Sequence, residues 1–412
     1  MESNIILNLG LVTIVFLSIY FLSRPKLRNN KSWQAMLTPL SSIVGSGFLI
    51  MAPLIASIVG LFSPFAVFGI VVLAYGIGHV IRFNILHVEP RSSKGTLSKG
   101  TKEIEYLGNL VLVLAYMVAV SFYLSLLSSF LLNYFGISNL VYERWLTTSI
   151  IAFIAIIGYV KGLSGLEKLE SISMTIQLSI VIALLIGLGI YGMTFLSSDE
   201  VLEFTYTQRP ISTQMQMLAG ALLVVQGFET SRFLGEKYSP EVRVKSMRNA
   251  QIISGILYVV SVILFMPIVQ KIDLIHMELA QIIEATGSAA LVLPLMLIIA
   301  ALMSQFSAAV ADTGGGGGLL NENSNGRLSS RLGYVGIAIS AILLVWAANL
   351  MEIITLASRA FAVYYLFQTL LALFYCYKDC PVRSRMTLLN RGVYMLISIV
   401  LLYVVFFAIP AE

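Results

Sequence analysis

Two glycine-containing stretches inside long apolar runs decide the fold of this chain. Residues 41–49 read Ser-Ser-Ile-Val-Gly-Ser-Gly-Phe-Leu, which places two glycines and three serines in mid-run. Residues 219–232 read Ala-Gly-Ala-Leu-Leu-Val-Val-Gln-Gly-Phe-Glu-Thr-Ser-Arg, with Gln, Gly and Glu at a similar depth. Glycine and short polar residues weaken a helix that apolar neighbours otherwise favour. Both stretches therefore predict a helix that is interrupted near its middle.

The surrounding composition is that of a membrane protein. Of the 412 residues, 58% are apolar and only 11% are charged, and the mean hydropathy is +0.89. Soluble domains carry about 25% charged residues, so a soluble protein is excluded. Apolar runs of about 20 residues, the length that crosses ~30 Å of hydrocarbon as a helix, recur throughout. We therefore expect one all-α polytopic membrane domain and no nucleic-acid partner, with the net charge of +5 explained by topology.

The apolar runs predict twelve transmembrane helices in a ten-helix core with one extra helix at each end. The predicted spans are 4–23, 37–60, 62–82, 106–133, 145–160, 171–196, 213–234, 249–270, 289–312, 332–350, 352–377 and 390–409. Residues 1–36 form the extra N-terminal helix and a basic linker, 37–196 a first five-helix repeat, 213–377 a second repeat and 378–412 the C-terminal helix. Because five is odd, the second repeat is inverted relative to the first.

The charges orient these spans in the membrane. Alternate linkers contain 22 of the 26 Lys and Arg, and they are 24–36, 82–105, 161–170, 232–248, 314–331 and 378–391. The opposite linkers hold only Arg144, Arg209 and Lys271, and Arg359 lies within a span. The positive-inside rule then places both termini outside.

The interrupted helices fall at corresponding positions of the two halves. Such pairs mark a binding site near the bilayer midplane, because an unwound turn frees backbone groups that hydrocarbon cannot satisfy. A polar solute or an ion satisfies them, with helix N-termini favouring anionic groups and freed carbonyls favouring cations. The alternative is close helix packing, for which Gly and Ser are also suited.

The residues of both breaks resemble a known family. Gly-Ser-Gly-Phe at 45–48 is similar to the break in the first core helix of the amino acid–polyamine–organocation (APC) superfamily. Gly-Phe-Glu at 227–229, with the basic stretch 240–245 behind it, resembles the sixth core helix and its loop. The resemblance implies the leucine-transporter-like inverted-repeat fold and alternating access. It also implies a substrate carboxylate on the N–H groups of Ser46 and Gly47 and an amine facing carbonyls near Ile43 and at Val225, Gln226, Gly227 and Phe228.

Coupling of transport to an ion gradient is expected to involve sodium or protons, with sodium placed first. Many proton-coupled members of the superfamily carry a lysine in the fifth core helix, where this chain offers Gln177, an amide that releases no proton near neutral pH. Ser304 and Ser307, at mid-depth in the ninth span, resemble a second sodium site facing Val44 and Gly45. Hard cations favour such oxygen ligands. The alternative is that these serines bond to their own helix.

Charged and aromatic residues inside the spans are further candidates. An ionisable group there costs about 2.5 to 3.5 kcal/mol and is a functional hypothesis by default. Glu229, a gate or proton carrier, and Arg232 either neutralise each other across one turn or Arg232 extends to the interface. Arg359 is expected to pair with Glu229, Glu352 or an anionic substrate group, and Asp312 to cap, gate or relay ions. Tyr116 lines the substrate cavity or packs.

Residues 314–318, five consecutive glycines, are expected to form a flexible hinge or loop. No Gly-Lys-Ser/Thr follows them, so they are not a phosphate loop.

Three classes of function compete with transport. Gly162-Leu163-Ser164-Gly165 matches an intramembrane serine-protease pattern, but it lies in a charged linker and no histidine lies at mid-span, so we expect no enzyme. A channel would show a pore filter or charge ring. A sensor would often carry a soluble domain, for which no linker is long enough. We therefore expect a multi-pass transporter of an amino acid or a related small organic solute in a bacterial plasma membrane, with sodium as the only expected bound group.

Overall fold

The apolar runs form long helices, because only an α-helix satisfies its own backbone in hydrocarbon. The computed structural model describes residues 2–48, 50–137, 139–198, 201–204, 206–275, 279–348, 350–379 and 385–409. Within them the α-helices are α1 (Glu2–Leu22), α2 (Pro25–Arg28), α3 (Lys31–Gly47), α4 (Met51–Val59), α5 (Ser63–Phe83), α6 (Glu89–Ser93), α7 (Lys99–Tyr134), α8 (Leu140–Lys161), α9 (Leu163–Leu196), α10 (Ile211–Ala221), α11 (Pro240–Val269), α12 (Leu279–Ala285), α13 (Leu293–Asn323), α14 (Ser330–Ala347), α15 (Leu350–Phe374) and α16 (Arg385–Phe407).

Among the described residues, ten helices are long and apolar enough to cross a membrane. The two predicted spans missing from this set are 37–60 and 213–234, the two that were expected to be interrupted. An interruption shortens each continuous helix below the spanning length, which is why a length criterion omits them. The all-helical polytopic fold is thus confirmed, while the number twelve and the division into repeats stay predictions.

The centre of the bundle is formed by α3, α7 and α13. Helix α13 packs against α3, α7, α9 and α14, while α7 also packs against α15. Helix α1 packs against α9 and α16 against α15, so both extra helices lie on the outside of the core. Side chains from α3 and α13 are accordingly the most buried of the polar residues, and this centre is where the candidate site lies.

The basic linkers gather at one end of the bundle, as the charge pattern predicts. We call this the basic end. Contacts that join its linkers are the ion pairs Arg243–Glu89 and Lys237–Glu167 and the hydrogen bonds Ser246–Ser32, Ser330–Glu236 and Thr101–Asp379. At the opposite end Arg209 donates to the Ser57 carbonyl and the Ile409 N–H to the Gln216 carbonyl. Which end faces the cytoplasm stays a prediction.

The five glycines of 314–318 form neither a loop nor a hinge, so that expectation was wrong. They are the penultimate turns of α13, and their absent side chains let neighbouring backbones approach. A Cβ on Gly317 would lie 2.9 Å from the Ser330 carbonyl oxygen, and one on Gly318 would lie 2.7 Å from that of Phe233. Close packing holds this stretch helical despite the low helix propensity of glycine.

Candidate functional site at the two helix breaks

The first break lies later than the sequence suggests. Helix α3 continues through Gly45 to Gly47, and α4 begins at Met51. The N–H groups of Ser46 and Gly47 therefore lie inside a helix, and the free N–H groups of a helix N-terminus belong to the start of α4. Gly45 serves packing, because a Cβ there would lie 2.7 Å from the Cβ of Ala308 on α13. The side chain of Ser46 and all of Leu49 lie outside the described residues.

The second break is where the sequence places it. Gln226 and Gly227 separate two 3₁₀ turns, Leu222–Val225 and Phe228–Phe233. Gly227 has φ +112°, a conformation that side-chain-bearing residues rarely adopt. It also lies directly on Ser42, whose carbonyl carbon would be 2.7 Å from a Cβ at this position. The glycine thus provides both the turn and the contact between the interrupted helices.

The expected substrate-binding residues meet around this contact. The Tyr258 hydroxyl donates to the Ile43 carbonyl at 2.7 Å, and the Gln226 amide donates to the Tyr123 hydroxyl at 3.3 Å. Phe228 stacks on Tyr365 with ring centroids 5.2 Å apart.

All of the described members of this set are buried, with Val225 at 4%, Gln226 at 7%, Phe228 at 1% and Tyr116 at 0% exposure. The breaks are therefore enclosed in this conformation, and a solute reaches them only when helices move.

The expected sodium ligands also come together, but protein donors already bind them. The Gly45 carbonyl accepts hydrogen bonds from the Ser304 hydroxyl at 2.8 Å and from the Gln305 amide at 3.2 Å. The Val44 carbonyl accepts from the Gln177 amide at 3.4 Å, and Ser307 donates to the Gln177 oxygen at 3.4 Å. N–H groups on both carbonyls compete with a cation for the same lone pairs. This donor set does not fit sodium in the conformation described.

The expected pairing of Glu229 with Arg232 is wrong. Glu229 accepts from the Gly227 N–H at 3.0 Å and from the Tyr365 hydroxyl at 2.7 Å. Arg232 points the other way, to Glu105 at 2.8 Å and the Gln368 oxygen at 2.7 Å, and it is buried rather than extended to the interface. The 3₁₀ turn explains the difference, because it rotates residues three apart away from the spacing of an α-helix.

Arg359 and Asp312 also depart from expectation. The Arg359 side chain is exposed, and neither oxygen contact of Glu229 involves it; the side chain of Glu352 lies outside the described residues. Asp312 is no helix cap, because it lies within α13 and is fully buried. Its carboxylate accepts from the Ser42 hydroxyl at 2.9 Å and so joins α13 to α3.

Sequence reasoning missed a second contact of this kind. Glu170 was assigned to a linker, yet α9 begins at Leu163 and buries it completely. Thr38 donates to Glu170 at 2.6 Å. Thr38 and Ser42 are four residues apart and thus on one face of α3, a spacing that signals a polar stripe once the helix is known.

Comparison with known proteins agrees with this geometry. A family model described as APC superfamily transporter matches residues 25–408. An uncharacterized protein of Aquifex aeolicus (strain VF5) is 41% identical over 398 residues, covering 96% of this chain and 95% of its own. Two solved structures share the fold at 13% identity. MhsT in complex with L-phenylalanine has a TM-score of 0.56 and covers 91% of this chain and 98% of its own, and a Na+-coupled sialic acid symporter has a TM-score of 0.52 with 99% and 98%.

Proposed function

The chain belongs to the APC superfamily of transporters, and we propose that it carries an amino acid or a related small organic solute across a bacterial plasma membrane by alternating access. The transport is secondary active, driven by an ion gradient. No catalytic step is part of this proposal. A channel or a sensor on the same fold is the alternative that the experiments below distinguish.

The contact of Gly227 with Ser42 carries the proposal. It brings the unwound turn of one half against the interrupted helix of the other, beside carbonyls and aromatic rings. Backbone groups at such a break suit a zwitterion, with the N-terminus of α4 for a carboxylate and carbonyl oxygens for an amine. Phe228, Tyr116 and Tyr123 supply an apolar wall for a side chain. MhsT, which shares the fold, is described as binding L-phenylalanine.

Enclosure of the breaks favours a transporter over a channel. Conduction needs a continuous path, whereas every described residue at the contact is buried. Alternating access requires such an enclosed state between two open ones.

A binding screen tests the solute class first. Ligands that bind only the folded state raise the melting temperature by mass action. We expect one class of amino acid or amine to stabilise the detergent-purified protein. Gln226→Leu should abolish that shift, while Gln214→Leu, on α10 away from the break, should keep it. Silence across the whole panel would contradict the proposal.

Transport itself is tested in proteoliposomes. Counterflow of the stabilising compound should occur in the native protein and be lost in Gln226→Leu. Sodium and proton gradients imposed separately identify the driving ion. Passive flux at a rate that does not saturate with solute would instead identify a channel, and binding without any flux a sensor.

A further inference from the structure

Four acidic residues lie in a row between the basic end and the helix breaks. We call Glu167, Glu170, Asp312 and Glu229 the acid row. The last three are fully buried, each at 0% exposure. They come from three elements, α9, α13 and the 3₁₀ turn at the second break. Their convergence is a property of the fold that no single segment of sequence displays.

The three buried acids have no basic partner among the described residues. The ion pairs found there are Lys99–Glu103, Arg232–Glu105, Lys237–Glu167 and Arg243–Glu89. The buried arginines are thus already paired with other acids. A carboxylate that is ionised, buried and unpaired is strongly unfavourable. These three groups therefore call for a cation of some kind, and the smallest is a proton.

The hydrogen bonds of the acids leave room for that proton. One oxygen of Glu170 accepts from Thr38 at 2.6 Å, and one oxygen of Asp312 accepts from Ser42 at 2.9 Å. The other oxygens, Glu170 Oε1, Asp312 Oδ2 and Glu229 Oε1, are buried and accept no hydrogen bond from any described residue. A carboxylic acid with one O–H donor and one accepting oxygen matches this one-sided pattern.

A further buried hydroxyl is aimed at the same place. Tyr116 Oη is fully buried and has no hydrogen-bond partner among the described residues. It lies against Gly315, where a Cβ would be 3.2 Å away, one turn along α13 from Asp312. Such a group is normally satisfied in a folded protein. An unpartnered hydroxyl beside an acid with a bare oxygen indicates that a small ligand or a moving proton completes the arrangement.

Hydroxyl side chains connect the row from end to end. Glu167 binds Lys237, whose side chain is 38% exposed at the basic end, and Glu170 follows one turn later on α9. Thr38 and Ser42 then continue along α3 to Asp312. Ser42 touches Gly227, whose N–H donates to Glu229. A hydroxyl both donates and accepts, so it can pass a proton between neighbouring acids.

The groups that face Asp312 contain no cation. Those in its surroundings are acids and tyrosines, namely Glu170 on α9, Glu229 at the break, Tyr116 and Tyr123 on α7, and beyond them Tyr258 on α11, Tyr334 on α14, and Tyr364 and Tyr365 on α15. Among the described residues nothing but a proton or an entering cation compensates its charge.

We propose that Glu170 and Asp312 are proton-binding residues, and that the acid row carries the coupling proton between the basic end and the solute at the breaks. Each step moves one proton from a carboxylic acid to the next carboxylate through an intervening hydroxyl, and no other bond changes. The proposal rests on the proposed function, to which it adds the coupling ion. The poor fit of the Val44 and Gly45 carbonyls to sodium is an independent reason for it.

Infrared difference spectroscopy tests proton binding without any solute. The full chain in proteoliposomes is stepped between acidic and alkaline pH while the carbonyl stretch of protonated carboxylic acids is recorded. We expect Asp312→Asn and Glu170→Gln each to remove one band that the native protein shows at neutral pH. Glu103→Gln, an acid with 62% side-chain exposure, should change nothing there. If both bands persist in the two variants, the proposal is overturned.

Solute-driven proton movement is the second test. Proteoliposomes containing a pH-sensitive dye receive a mixture of the common amino acids. The native protein should acidify the lumen, and Asp312→Asn should lose acidification while keeping counterflow. Asp312→Glu is the rescue variant that separates lost chemistry from lost folding. Bands without any solute flux would sustain the proton sites and contradict the transport proposal, whereas sodium-driven flux with unchanged bands would do the opposite.

Discussion

Gly227 is the residue on which the meeting of the two breaks depends. It occupies a backbone region that favours glycine, and it lies in contact with Ser42 of the other half. The sequence places it correctly because glycine beside Gln226 and Glu229 inside an apolar run has few other uses. The sequence could not show what Glu229 binds, since its partner Tyr365 lies more than a hundred residues away.

Adding a methyl group to Gly227 should abolish solute binding and lower stability. Gly227→Ala combines backbone strain of about 1–2 kcal/mol with a collision against Ser42. Gly136→Ala is the matched control, because Gly136 also has positive φ (+70°) but nothing within 4 Å of the added carbon. Melting temperatures and the ligand-induced shift should separate the two. Equal loss in both would show that only the backbone angle matters.

The buried Arg232–Glu105 pair should behave as one unit. Arg232→Met leaves Glu105 buried and unpaired, which costs about 3–5 kcal/mol. The double variant Arg232→Met/Glu105→Gln should recover much of that loss, because the unpaired charge is gone. Denaturation of the two single variants and the double variant in one detergent measures the coupling. Additive losses would mean that the pair does not interact.

At the scale of the element, α13 shows where sequence reading reaches its limit. Five successive glycines predict a loop from local propensity, since glycine is a poor helix former. The helix exists because α14 and the second break pack onto those glycines, and packing across the chain is invisible to a local pattern. The same reason explains why the first break was placed too early: Gly45 serves the approach of α13 rather than a turn.

Two substitutions within this glycine run should have opposite effects. A Cβ on Gly314 has its nearest neighbour at 3.7 Å, so Gly314→Ala should stabilise by up to about 1 kcal/mol through helix propensity. A Cβ on Gly317 would collide with Tyr334 and lie 2.9 Å from the Ser330 oxygen, so Gly317→Ala should destabilise by about 1–3 kcal/mol. Thermal unfolding of the purified variants decides, and similar shifts would argue for a flexible segment.

At the scale of the molecule, hydropathy and charge order predict most of the architecture. The spans follow from apolar run length, and the gathering of basic linkers at one end follows from their alternation. The acid row does not follow, because Glu170 and Asp312 come from different halves and meet only through α3. Long-range convergence of polar side chains thus requires the structure, whereas topology does not.

The orientation of the basic end gives the final prediction. Positively charged linkers remain in the cytoplasm, so the loop that contains Asn325 should face inward and the loop that contains Gly136 outward. In a background without Cys376 and Cys380, Gly136→Cys should react with an impermeant maleimide in intact cells. Asn325→Cys should react only after permeabilisation. Both positions are exposed, so accessibility of the side chain is matched. The reverse labelling pattern would place both termini inside and would turn the acid row toward the opposite compartment.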